Sequence, residues 1–317
     1  MDTSARDCLV LFDTRVEGRL DGGWASGVLR QRTRTVKAGP MVYMDCYPVW
    51  DTQTARAART EAGRERHRRA QAELNRRNAR RRLEQLVNAN FDEGDLMLTC
   101  EYAHGREPGS DEQAARDIRN MIKRLRRRRA RRTDAPMRYI YVTEVTVSAR
   151  YGTRWHHHLI LSGDGLTRGE AEDCWRKIHG GLCNARIAQP TERHLSGFAR
   201  YLTQDKRART MEQDGRNPQA RAMRRSWCAS TGLIKPEDRA TVADRKISIR
   251  KAGRIAETVA DFDRARDIFA RLYPDCELLE IEAQRSRFTV GVYIRAVLRR
   301  VEKRHRGKRG EGGSCGR

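Results

Sequence analysis

Arg154-Trp155-His156-His157-His158-Leu159-Ile160-Leu161 is the stretch on which the fold turns. Bulky and β-branched residues follow a turn signal, Tyr151-Gly152-Thr153, so the stretch reads as a β-strand. Successive side chains on a strand point to opposite faces. His156 and His158 therefore share one face, and His157 takes the other. Two imidazoles one pleat apart suit a single metal ion. The plainer alternative is three partly exposed strand histidines with no ligand.

Working outward, residues 137 to 147 form the preceding strand, and Glu144 lies within its apolar run. A carboxylate there is costly unless it is paired or ligating. With a three-residue loop, position 146 faces 158 and position 144 faces 160. Glu144 then joins His156 and His158 on one face, diagonal to His158. A two-residue loop would put it on the wrong face. The alternative for Glu144 is an edge-strand carboxylate paired with a neighbouring Arg.

Further upstream, Leu96 to Tyr102 is a strand. Ser110-Asp-Glu-Gln113 is a capping-box signal for a helix with Ile118, Met121, Ile122 and Leu125 on one face. The run Arg126 to Arg132 closes that helix, serving either the helix C-terminus or phosphate binding. Downstream, Thr167-Arg-Gly-Glu170 starts a helix with Ala171, Cys174, Trp175 and Ile178 inward, and Gly180-Gly181 stops it. A short strand spans 182 to 188. A last helix is expected from Thr191 to about Lys206, burying Leu195, Phe198, Ala199 and Leu202. Tyr201 falls off that stripe, placed either in a cleft or on the plain surface. The order β-α-β-β-α-β predicts an α+β fold, a ferredoxin-like (RRM-like) antiparallel sheet with helices on one face. The other face is then free for nucleic acid.

The flanks are less explicit. Residues 8 to 12 and 41 to 44 read as strands. Residues 54 to 90 read as a long helix with a thin stripe of Ala70, Leu74, Leu83, Leu86 and Val87. Arg76, Arg77 and Arg80 are among the arginines crowding the rest of it. They can track a DNA backbone, or simply pair with Glu61, Glu65, Glu73 and Glu84. Beyond the motifs, 257 to 272 reads as one helix, 277 to 281 and 288 to 293 as strands, and 294 to 301 as a helix. The division expected is an N-terminal accessory segment (1–90), a catalytic domain (91–236), a C-terminal α/β extension (237–301) and a basic, disordered tail (302–317).

The 317 residues carry a formal net charge of +24, which calls for an anionic partner, by default nucleic acid. Eight scattered cysteines with no CxxC pair argue against a zinc ribbon or disulfide scaffold and suggest reduced thiols in a cytoplasm. No apolar run is long enough to span a membrane, and the first residues do not read as a signal peptide.

Leu98-Thr99, His156-His157-His158 and Tyr201, in this order, resemble the rolling-circle replication initiators of the His-hydrophobic-His endonuclease superfamily. Residues 88 to 99 resemble the lead-in to the first motif, Phe198-Ala-Arg-Tyr-Leu-Thr203 the tyrosine motif, and Trp227 to Leu233 with Lys235-Pro236 a segment that follows it. A single Tyr places the likeness in the single-tyrosine subgroup. Two positions depart from the pattern: the middle of the triplet is His157 rather than an apolar residue, and Gln204 stands where a Lys is usual, with Lys206 two residues on. The resemblance implies strand-specific nicking by Tyr201, a 5′-phosphotyrosine link, and a 3′-hydroxyl primer for rolling-circle replication. It implies a divalent ion, Mg²⁺ or Mn²⁺, on His156, His158 and Glu144, with Lys206 assisting. Partners would be single-stranded or hairpin origin DNA and the host polymerase and helicase. Arg154 and Arg200, flanking the motifs, join Arg76, Arg77, Arg80, Arg126 and Arg127 as DNA-binding candidates. The competing readings are a non-catalytic nucleic-acid binder, and a relaxase or transposase of the same superfamily.

Overall fold

The structure is a computed structural model that describes residues 30–49, 60–148, 152–202, 227–242, 247–287 and 291–301. The strand expected at 8 to 12, Gln204, Lys206 and the tail from 302 lie outside the described residues. In chain order the elements are β1 (Arg30–Ala38), β2 (Met41–Val49), α1 (Glu61–Asn90), β3 (Leu96–Glu101), α2 (Asp111–Arg129), β4 (Tyr139–Ser148), β5 (Gly152–Leu161), α3 (Arg168–His179), β6 (Cys183–Ile187), α4 (Ser196–Leu202), β7 (Cys228–Ala229), β8 (Glu237–Val242), α5 (Ile249–Thr258), α6 (Phe262–Leu272), β9 (Cys276–Arg285) and β10 (Val292–Arg300).

The strands form two antiparallel sheets, β6-β3-β5-β4-β7 and β8-β1-β2-β10-β9. The first is the α+β unit expected from sequence: β3, α2, β4, β5, α3 and β6 follow the βαββαβ order, with β3 and β5 central. Its helices start on side-chain caps. Ser110 accepts from the Gln113 N–H, and Thr167 and Glu170 form a reciprocal capping box. α2 and α3 pack on one face over Leu96, Leu98, Cys100, Leu159 and Leu161, and Trp175 is fully buried there.

The opposite face is not free along its whole length. Ile140, Val142 and Ile160 pack against Leu83, Leu86 and Val87 of α1 and Ala199 and Leu202 of α4. The expectation of helices on a single face therefore holds for α2 and α3, and α1 and α4 cover one end of the other. Only tertiary packing reveals this, because both covering helices lie outside the βαββαβ unit.

Strands from the two ends of the chain share the second sheet. β1 and β2 pair with each other, with β8 and with β10. α5 and α6 cover one face through Ile255, Ala265 and Phe269, and Tyr43 and Met41 lie on the other. The 257–272 helix of the sequence reading is two helices, because Asp261 caps a fresh start at α6. Residues 294 to 301, expected helical, belong to β10. That strand is flanked by β2 and β9 and buried on both faces, so its apolar run has no period-two alternation.

α1 lies between the sheets. Asn88 donates to both the Tyr43 hydroxyl (2.8 Å) and the Ser196 hydroxyl (2.9 Å). Arg81 pairs with Asp45 of β2, and Arg193 with Glu280 of β9. The hairpin between β1 and β2 turns at Gly39 (φ 57), where a Cβ would stand 2.1 Å from the Asn88 carbonyl oxygen. No helix among the described residues is long and apolar enough to cross a membrane.

Candidate active site

The site is built on β5, and its hairpin decides which carboxylate reaches it. β4 pairs Glu144 with His156, Thr143 with His157, and Val142 with His158, closing at Ser148 and Gly152. The connection has three residues, as expected, but is centred two residues earlier than the turn signal suggested. Gly152, at φ 65, begins β5 in the left-handed region. An even displacement preserves faces, so Glu144 stays beside the histidines. It stands directly opposite His156, not opposite residue 160.

β3 borders β5 on the other side, pairing Glu101 with His156 and Thr99 with His158. His156 is thus flanked by two carboxylates. Glu101 Oε1 lies 3.5 Å from His156 Nδ1, and Glu144 Oε2 lies 3.5 Å from His158 Nε2. Thr99 Oγ1 is 3.1 Å from His158 Nδ1. Sequence reasoning passed over Glu101, although alternation along Leu96–Glu101 already put it on the face of Thr99. Gly181 makes room behind it, since a Cβ there would come within 1.9 Å of the Glu101 carbonyl oxygen. Burial pushes the His156 imidazole below its ordinary range, with Glu101 acting against that and His158 adding to it. His156 is therefore neutral near pH 7, as a metal ligand must be.

His157 points the other way and is fully buried. Its Nε2 is 2.9 Å from the Tyr102 hydroxyl and its Nδ1 is 2.9 Å from the Thr143 hydroxyl. Burial pushes its imidazole down to about 3. The polar residue in the middle of the triplet is accordingly a core residue with both ring nitrogens satisfied.

Tyr201 arrives from α4. This helix begins at Ser196, not at Thr191, because Thr191 and His194 close a tight turn that holds His194 at φ 52. Asn88 fixes the start of α4, accepting from the Leu195 N–H as it donates to Ser196. Ala199 and Leu202 are buried, leaving Tyr201 on the site side, 38% exposed. Its ring meets the His158 ring edge-on, centroids 5.0 Å apart.

The lead-in 88 to 95 holds these parts together. Asn90 accepts from the Ile234 N–H (2.7 Å) and donates to the Ile234 carbonyl (2.9 Å), pinning the segment after β7. Asp95 accepts from the Gly163 N–H at the end of β5. β7 extends the sheet beyond β4, pairing Cys228 with Tyr141.

The arginine candidates scatter. Arg154 lies on β5, 3.7 Å from Glu107. Arg200 neighbours Tyr201 on α4. Arg126 and Arg127 are on α2, across the sheet from the histidines, and Arg129 of the same run is buried against Asp164. On α1, Arg77 pairs with Glu73 at 2.9 Å and Arg80 follows one turn on. The Arg76 side chain lies outside the described residues. The Glu–Arg pairs along α1 match the plainer of the two sequence readings for that helix.

Among the described residues, no three His, Cys, Asp or Glu side chains converge at the spacing of a metal site. The donors stand as two His–Glu pairs on one face. Their chemistry, two neutral imidazoles and two carboxylates, still suits a divalent ion. Two donors bound side by side to one ion at about 2.1 Å stand roughly 3.0 to 3.4 Å apart, close to the 3.5 Å within each pair.

A family model described as replication-associated protein, of the ORF2 and gene 2 protein type, matches residues 95–206. The match spans β3 to Tyr201 and supports a role in replication initiation. No match emerges among curated proteins or solved structures.

Proposed function

We propose that this protein initiates replication by nicking one DNA strand through Tyr201. The observation that carries the reading is the meeting of Tyr201 with His158, His156, Glu144 and Glu101 on one partly open sheet face. A binding protein has no use for a buried imidazole flanked by carboxylates beside a half-exposed Tyr.

The Tyr201 oxygen attacks the scissile phosphorus, and the bond from phosphorus to the 3′ oxygen breaks. The phenol proton leaves to solvent, and the departing oxygen is protonated as a 3′-hydroxyl. The 5′ side stays on Tyr201 as a phosphodiester, so rejoining needs no ATP. His156, His158 and Glu144 would hold Mg²⁺ or Mn²⁺, with Glu101 as a further donor. Such an ion supplies polarisation of the phosphate oxygens and offsets the charge that develops on them. Thr99 accepting from His158 Nδ1 would leave the Nε2 lone pair toward Glu144. The 3′-hydroxyl would prime a host polymerase, with a helicase opening the duplex.

The test is incubation with labelled single-stranded origin hairpins and Mn²⁺, followed by a search for a denaturant-resistant protein–DNA adduct. An adduct is expected, and Tyr201→Phe must abolish it. An adduct that survives Tyr201→Phe overturns the assignment. Hairpin binding without any adduct returns the protein to the non-catalytic class.

A further inference from the structure

The residue between the two site-facing histidines touches neither of them nor the site face, yet it is tied to both neighbouring strands. In the row across the sheet, His157 sits between Cys100 of β3 and Thr143 of β4. Its Nδ1 meets the Thr143 hydroxyl, next in sequence to Glu144. Its Nε2 meets the hydroxyl of Tyr102, next in sequence to Glu101. Tyr102 donates onward to Asp117 of α2 at 3.3 Å. A phenol has one proton. With that proton on Asp117, His157 donates from Nε2 to Tyr102 and accepts the Thr143 proton at Nδ1. The Tyr102 ring is also clamped edge-on by Trp175 (4.9 Å) and His179 (5.1 Å).

We propose that His157 is a positioning residue: from the buried face, the Thr143–His157–Tyr102 chain sets the spacing between Glu101, His156, His158 and Glu144 on the site face. Each of the four stands beside a member of the chain in sequence. Side chains of adjacent strand residues leave the backbone on opposite faces, so fixing one residue fixes where its neighbour's Cβ emerges. An apolar residue at 157 would fill the same volume but leave the Tyr102 and Thr143 hydroxyls buried without this partner, at a cost in local order. Backbone ladder bonds alone hold the strands in register. The imidazole adds a side-chain tether on each flank, at the row where both carboxylates approach His156. The inference rests on the proposed metal-dependent site, but its structural half can be read without that site.

The experiment compares His157→Leu, Thr143→Val and Tyr102→Phe with the unchanged chain. Two readouts are used: Mn²⁺ affinity by titration, without DNA, and amide hydrogen exchange of β3, β4 and β5. His157→Leu is expected to weaken Mn²⁺ binding about 10- to 100-fold, the range for residues that orient ligands, and to speed exchange in all three strands. Thr143→Val should loosen the β4 side, and Tyr102→Phe the β3 side. His157→Gln, which keeps a donor and an acceptor, should recover part of the affinity. Unchanged exchange in β3 and β4 in His157→Leu overturns the inference. So does unchanged Mn²⁺ affinity where the parent binds the ion. A parent that binds no Mn²⁺ defeats the metal reading of the site, and hydrogen exchange alone then decides for or against the tether. If His157→Leu fails to fold, the two single-sided variants decide in the same way.

Discussion

Three consecutive histidines on β5 occupy two environments that differ in almost every respect. His157, on the closed face, is buried among Trp175, Tyr102 and Thr143, hydrogen-bonded at both nitrogens and kept neutral down to about pH 3. His156 and His158, on the other face, look onto carboxylates and the edge of Tyr201. The difference comes from what covers each face. α2 and α3 seal the first completely, whereas α1 and α4 cover only the end of the second that carries Ile140, Val142 and Ile160. A polar residue type is thus structural or chemical according to the neighbours brought to its face, and the strand's alternation sorts the two.

Four changes test that contrast, from the largest effect to the smallest. Tyr201→Phe should eliminate covalent adduct formation, read on a denaturing gel with labelled hairpin, and leave the melting temperature almost unmoved because the ring is partly exposed. On the closed face, Trp175→Ala should cost about 4 kcal/mol, the order for emptying a fully buried aromatic site. That is a roughly thousand-fold change in the folding equilibrium, measured by denaturant titration. The Trp175 indole also donates to the Glu101 carbonyl at 2.7 Å, so stability and activity should fall together in that variant. His156→Ala should lower adduct formation about 100-fold at saturating DNA, within the range for losing a charge-stabilising group. Glu101→Gln should follow it with a smaller loss, and both should melt close to the parent. A large drop in melting temperature for either would erase the distinction between the two faces.

The smallest effect concerns pH. Arg132, and then the Thr167 N–H, hold the Glu170 carboxyl down at about 2 in the capping box of α3. A depressed carboxyl contributes stability above its unfolded value near 4.5, and that contribution is lost as pH falls from there toward 2. Glu170→Gln should therefore flatten the stability curve between about pH 4.5 and 2 and leave it unchanged in slope near pH 7. An unaltered acid slope, followed by thermal melts across that window, would remove Glu170 from the capping of the closed face.

Much of the fold could be read locally. Capping signals at Ser110 and Thr167, the stripe Ile118, Met121, Ile122 and Leu125, and the alternation in β3 and β5 all depend on neighbours within a few positions. The thin stripe on α1 was also legible, and Ala70, Leu74, Leu83, Leu86 and Val87 are all buried. What failed locally was the both-sides-buried strand β10, whose apolar run resembles a buried helix.

By itself, then, the sequence determined that His156 and His158 share a face, that Glu144 belongs with them, and that Tyr201 stands off its helix's buried stripe. Those are statements of parity and period, and they survive a displaced hairpin. Tertiary structure alone decided that Glu144 faces His156, that Glu101 completes the flanking pair, and that α4 is held over His158 by Asn88. It alone also joined the two ends of the chain in one sheet. These depend on which strand lies beside which, set by burial among segments far apart in sequence, and no local pattern encodes that choice.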